Sequence, residues 1–336
     1  MSSESADTMT ERERFLATLG GGEPDRVPVF DLEPHESTVK LWRQQGLPQG
    51  VSVAGHFGLE THEPVGLEIH SAPFYRGAPD LLDSLEAFDR HYDPDDPDRI
   101  PADFVTRCER AHREGRVVTI SASGGGLLQM LGVRDWDSLV AACEALVHRA
   151  GYVDELLART SDFHCALLDR VLSQVEVDYA SLYEPIASNI GPLISPEMFE
   201  RYSMPGYRRL LALLERHGVP FRVFCTTGGD LGPLLPMLLD AGVNALWISN
   251  IMTPGMEYRN LRRRYGPEIA LIGGIDSTAL SRGHDEVRRA VEETVPPLLA
   301  EGRYLPCLDD RPRDTTPFAM YAHYRQVVAE VAGFQG

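Results

Sequence analysis

A chain of 336 residues, 43% hydrophobic and 24% charged, has ordinary globular composition and room for one large α/β barrel or two modest domains. Its formal net charge of −18 argues against nucleic acid as a partner, because a backbone binder needs a basic footprint. No apolar run approaches the ~18 residues of a membrane span, and MSSESADTMTERERF lacks the basic and apolar blocks of a secretory signal. A cytoplasmic location is therefore the default expectation. The five cysteines (Cys108, Cys143, Cys165, Cys225 and Cys307) are dispersed, with no CxxC pair, and read as reduced thiols.

In chain order, residues 1–9 are polar and aperiodic and read as a disordered tail before a single domain spanning 10–336. Thr10 and Glu13 fit a capping box that starts a helix ahead of Phe15 and Leu16. Short β-branched runs then alternate with longer amphipathic stretches. Eight strands are predicted: Val27–Phe30, Val65–Ile69, Val117–Ser121, Val177–Tyr183, Phe221–Cys225, Ala245–Ile248, Ile269–Ile272 and Tyr304–Cys307. Helical patterns between them include Ser138–Arg149, Met198–His217, Leu231–Ala241 and Glu286–Ala300. The acidic, proline-rich stretch Asp80–Asp103 reads as a surface excursion.

Strands that alternate with helices pair in parallel, since parallel neighbours need a long crossover. Eight such units fit a closed (β/α)8 (TIM) barrel with an N-terminal helical extension. The alternative is an open doubly wound sheet, but Gly124-Gly125-Gly126 has the wrong spacing for its GxGxxG fingerprint.

Four segments, in order, carry a resemblance. RERFLATLGGGEPDRVPV (Arg12–Val29), EPIASNIGPLISPEMFERYSMPGY (Glu184–Tyr207), LIGGIDSTAL (Leu271–Leu280) and RYLPCLDDRPRD (Arg303–Asp314) resemble the uroporphyrinogen-decarboxylase superfamily, which includes corrinoid-linked methyltransferases. The similarity runs from about Arg12 to Val331, and it implies a (β/α)8 barrel. It also implies two chemistries: cofactor-free decarboxylation behind an arginine-bearing first loop, or zinc-assisted methyl transfer with a separate corrinoid protein. Members often dimerise, so a homodimer is implied as well, although no stretch specifies an interface.

This chain departs from both patterns. The first loop, DLEPHESTVKLW (Asp31–Trp42), has acids and a histidine where the decarboxylases carry arginines, and Asp31, Glu33 and Glu36 would repel a porphyrinogen's carboxylates. In VFCTTGGD (Val223–Asp230), Thr226 and Gly228 fall at the zinc-binding His and Cys positions. Asn250 stands near the expected acid, and only Cys307 survives from the ligand set. Cys225, on the opposite strand face from Thr226, is expected to pack as a small hydrophobe.

Barrel chemistry sits at the C-terminal strand ends, which selects the candidate residues. Glu184 ends the fourth predicted strand and is a general acid/base or the partner of an arginine. Asp31 and His35 follow the first strand, and His35 is either a proton carrier or a solvated loop histidine. His56 and His62 read as surface residues. Thr226 and Thr227 with Gly228-Gly229 suit either an anion-binding backbone or a tight turn. Asp230, Asp276 and Ser195 read as helix caps. Asp309 and Asp310 follow the last strand, where paired acids raise one pKa, with Arg311 or Arg313 to neutralise them or grip a carboxylate.

Three functions follow. The first is a metal-independent, cofactor-free enzyme, a decarboxylase-like lyase acting on a small carboxylated compound other than uroporphyrinogen. The catalytic residues are then Glu184, Asp309, Asp310 and His35, with Asp31, Thr226, Thr227, Asn250, Cys307 and Arg311 contacting substrate. The second is a methyltransferase with zinc and a corrinoid partner. The third is a non-catalytic barrel subunit.

Overall fold

The computed structural model describes residues 9–69, 84–124, 126–188, 190–249 and 253–333. Contacts divide the chain into two compact units. One holds Met1–His62, Glu114–Val117 and Ala245–Gly336, and the other holds Glu63–Arg113 and Val118–Asn244.

The second unit is built on strands β2 (Val117–Ser121), β3 (Tyr179–Tyr183) and β4 (Phe221–Thr226), with the short β1 (His62–Pro64) next to β2. β2 pairs parallel with β3 at Thr119–Tyr179, and β3 pairs parallel with β4 from Tyr179–Phe221 to Tyr183–Cys225. Between β2 and β3 runs the helix Ala150–Leu172, which buries Val153, Leu156, Phe163, Leu167 and Val171 at helical spacing. Between β3 and β4 the predicted single helix splits into Pro196–Tyr202 and Met204–Arg216. Pro205 has no N–H to continue the ladder across Ser203. Ser195 caps the first piece, its hydroxyl accepting from the Met198 N–H at 3.2 Å.

The first unit holds β5 (Ala245–Ile248), β6 (Ala270–Ile275) and β7 (Tyr304–Leu308), parallel throughout and buried along their whole length. Helices Tyr258–Tyr265, His284–Glu301 and Phe318–Ala332 follow them. The Thr10–Glu13 capping box opens the helix Glu11–Gly20, as expected. Residues 1–8 of the expected tail lie outside the described residues, and Met9 is tied by its N–H to Asp25 at 2.9 Å.

Several expectations are corrected. Val27–Phe30 is extended but makes no strand among the described residues. Pro28 has no N–H to give a ladder, and Val29 makes one backbone bond, accepting from Glu60 at 2.7 Å. Val65–Ile69 is likewise irregular, turned by Gly66 at φ +80° and buried through Val65, Leu67 and Ile69. The helix expected over Leu231–Ala241 is confined to Leu235–Asp240, because Pro233 and Pro236 delay its start. Within the expected surface excursion, residues 80–83 lie outside the described residues, while Phe88, Tyr92 and Arg99 are buried. Arg99 sits over the Phe163 ring, 4.8 Å from its centre.

Candidate active site

Glu184, the residue after β3, has no exposed surface. Its carboxylate accepts from the Leu127 N–H at 3.0 and 3.1 Å and from the Tyr207 hydroxyl at 2.9 Å. The backbone around it is shaped to fit. Gly126 opens the helix Gly126–Met130 at φ +81°, and a Cβ there would stand 2.2 Å from a Glu184 carboxylate oxygen. Only glycine allows that approach. Burial pushes the Glu184 carboxyl up to about 7, against the pull of the Tyr207 hydroxyl and the Leu127 N–H. The Tyr207 phenol is held well above its ordinary range by burial and then by the neighbouring carboxylate. Cys225 stands beside it on β4, its thiol pushed up to about 12 by burial.

Tyr207 is also a wall of a cavity of about 330 Å³ in the same unit. Met130, Leu157, Ala158, Pro205 and Leu210 supply the apolar lining. Ser123, Ser161, His164 and Ser203 supply polar groups, Asp154, Arg201 and Arg209 charged ones, and Tyr202 and Gly206 complete it. Ser123 is fixed by β3, accepting from the Tyr183 N–H at 2.9 Å. His164 is buried on the long helix, its Nε2 2.9 Å from where a Cβ on Gly124 would lie. A cavity of this size with an apolar wall and convergent polar groups, beside a carboxyl raised to about 7, combines the features of a small-molecule site.

The other expected residues are placed elsewhere. In the same unit, Thr226 is buried and its hydroxyl accepts from the Gly228 N–H at 3.4 Å, while Thr227 is exposed. Gly229 is required by close packing, since a Cβ there would stand 2.7 Å from the backbone of Ala187 and Ser188. Asp230 does not cap a helix as expected. It holds a turn instead, accepting from the Gly232 N–H at 2.8 Å. Asn250 lies outside the described residues.

In the other unit, Asp31 is buried in an ion pair with Arg325 at 2.8 Å. It also accepts from the Leu308 N–H at 2.8 Å and from the hydroxyls of Tyr321 at 3.1 Å and Tyr324 at 3.3 Å. Burial raises its carboxyl while the guanidinium pulls it down. The repulsion expected of the first loop therefore falls to the exposed Glu33 and Glu36. Cys307 is buried, and burial holds its thiol well above the usual range, with Asp31 adding to the shift. Asp309 accepts from the Ser277 N–H at 2.9 Å. Asp310 accepts from the Arg311 N–H at 2.7 Å and lies 3.8 Å from Arg313. The two acids thus take separate partners, and Arg311 is exposed. His35 is exposed at the start of the helix Glu36–Gln45, with no capping bond from its side chain. Asp276 caps as expected, accepting from the Thr278 N–H at 2.9 Å.

His56 is exposed, as expected, whereas His62 is half-buried. Its ring stacks on Phe30 at 4.3 Å and meets Phe15 edge-on at 5.2 Å, and burial lowers its pKa to about 3. A zinc site of the methyltransferase kind does not fit these residues. The Thr226 hydroxyl is engaged, Gly228 offers no ligand, and no group of three His, Cys, Asp or Glu side chains among the described residues is placed to hold a metal.

Parallel strands interleaved with helices define an α/β protein, with a buried carboxyl at the C-terminal end of one strand. Residues 66–305, well over half of the chain, match the uroporphyrinogen decarboxylase (URO-D) family, and the chain belongs to that family. No curated protein matches it. Among solved structures, the YdhT protein from Bacillus subtilis aligns over 95% of this chain and 93% of its own, at 13% identity and a TM-score of 0.42. No described helix is long and apolar enough to cross a membrane.

Tyr207, His164, Ser123 and Ser203 did not stand out in the sequence. Tyr207 and Ser203 lie inside the family-like segment ending YSMPGY, which was the available signal. His164 lies in an ordinary amphipathic helix and gave none.

Proposed function

We propose that the chain is a metal-independent, cofactor-free lyase that decarboxylates a small carboxylated compound other than uroporphyrinogen. The closed eight-stranded barrel of the family belongs to the same proposal, supported by the alternation of strands and helices within each unit. The observation that carries the function is Glu184, a fully buried carboxyl raised to about 7 and hydrogen-bonded to a wall of the cavity. Decarboxylation breaks a C–C bond and leaves its electron pair on carbon, where an electron sink within the substrate holds it. The Tyr207 hydroxyl then gives its proton to that carbon, and Glu184 restores the proton to Tyr207. CO2 leaves, and a proton from solvent reloads the dyad through the emptied cavity. A carboxyl that titrates near 7 is matched to this work at neutral pH. A cavity of about 330 Å³ also suits a small molecule better than a four-ring porphyrinogen.

The test is CO2 release, with deuterium incorporation into product, on incubating the protein in D2O with a pool of small carboxylic acids. Glu184→Gln and Tyr207→Phe are each expected to lower turnover about 10²- to 10⁴-fold. Full activity in both variants would overturn the proposal. So would stoichiometric zinc lost together with activity in Cys307→Ala, and that result would favour methyl transfer with a corrinoid partner.

A further inference from the structure

Ser203 joins the helices Pro196–Tyr202 and Met204–Arg216, a place where serine ordinarily caps. Here its backbone is helical (φ −97°, ψ −43°), and its hydroxyl makes no capping bond. The side chain is 3% exposed, its oxygen has no hydrogen-bond partner, and it lines the cavity. A buried hydroxyl without a partner is a cost that an oxygen on a bound molecule would recover. The remaining lining is sorted by chemistry. Met130, Leu157, Ala158, Pro205 and Leu210 form an apolar wall. Arg201 and Arg209 add two positive charges, each matched by an acid. Arg201 is held by Asp154 at 2.6 Å and Arg209 by Asp162, and all four side chains are substantially exposed, so either arginine can exchange its partner for a ligand carboxylate.

Building on the reading of this cavity as the active site, we infer that its substrate class is a monocarboxylate with a compact apolar body and one further hydroxyl or keto oxygen. Ser203 is the residue that selects for that oxygen. One carboxylate takes one of the two arginines from its acid, the body fills the apolar wall, and the extra oxygen meets the Ser203 hydroxyl. A polycarboxylate would leave charges unmatched against the apolar wall.

A matched pair of probes, 3-phenyllactate and 3-phenylpropionate, differs only in that oxygen. Binding, measured by calorimetry and ligand-observed NMR, is read without any turnover. The wild type is expected to favour phenyllactate about 3- to 10-fold. Ser203→Ala should remove that preference while still binding phenylpropionate. Gly206→Leu should abolish binding of both, because a Cβ at 206 already touches Ser161 of the lining at 3.9 Å and a longer side chain must take its space from the cavity. Gly206→Ala, a smaller change within a helix, serves as the folded control. No preference in the wild type, a preference that survives Ser203→Ala, or undiminished binding by Gly206→Leu would each overturn the inference. So would tighter binding of benzene-1,3,5-tricarboxylate than of phenyllactate. If the pattern holds while Tyr207→Phe releases CO2 at the wild-type rate, the catalytic reading fails and the substrate class stands.

Discussion

Between pH 4.5 and about 7, the folded chain holds a proton on Glu184 that the unfolded chain has already released. Folding stability from this group is therefore full below pH 4.5 and is lost as pH rises through 7. Above that pH the buried carboxylate costs about 3 kcal/mol relative to an exposed one. Glu184→Gln removes the titration and keeps an acceptor for Tyr207 and Leu127. We expect the melting temperature of the wild type, relative to that of the variant, to fall as pH rises from 5 to 8. Parallel pH profiles for the two proteins would refute the shifted carboxyl. The sequence pointed to Glu184 by its place at a strand end, but not to its environment. Leu127 and Tyr207 reach it from 57 and 23 residues away, and residue type says nothing about such contacts. The same limit explains His62, which read as a surface histidine because its packing against Phe30 and Phe15 comes from distant parts of the chain.

At the scale of elements, what was legible followed from local chemistry. Val117–Ser121 and Ala245–Ile248 are short runs rich in β-branched and apolar residues, and both form strands as predicted. Val27–Phe30 and Val65–Ile69 have similar composition but fail, because Pro28 and Gly66 break the ladder from within. The triple glycine at 124–126 was visible, yet its use was not. Gly126 brings the helix Gly126–Met130 against the Glu184 carboxylate. Gly126→Ala would need a left-handed alanine as well as displacement of that carboxylate. We expect a loss of at least about 2 kcal/mol in urea unfolding, with turnover falling as in Glu184→Gln. Gly151→Ala is the comparison: it lies early in the helix Ala150–Leu172 with nothing within 4 Å of its added Cβ. It should be neutral, or stabilising by up to about 1 kcal/mol. Equal effects at the two positions would refute the close approach at Gly126.

Over the whole molecule, the alternation of strands and helices disclosed the α/β class, whereas the partnership of the chain's two ends was hidden. The unit holding Met1–His62 also holds Ala245–Gly336, so distant stretches of sequence share one core. Asp31 and Arg325 form a buried charged pair joining them, and Trp42 adds a neutral tie, its indole N–H donating to the Thr316 carbonyl at 2.8 Å. Read as sequence, Asp31 was a loop acid free to meet substrate; in the fold its charge is matched by a residue from the last helix. Removing one partner of such a pair leaves an uncompensated charge, whereas neutralising both removes the cause of that cost. Arg325→Met is thus expected to lose about 3–5 kcal/mol in urea unfolding. Adding Asp31→Asn should restore part of the loss, since the amide oxygen can still accept from Leu308 and the two tyrosines. Were the double variant no more stable than Arg325→Met alone, the cost would lie in lost packing around the guanidinium, and the buried charge would not be what joins the two ends of the chain.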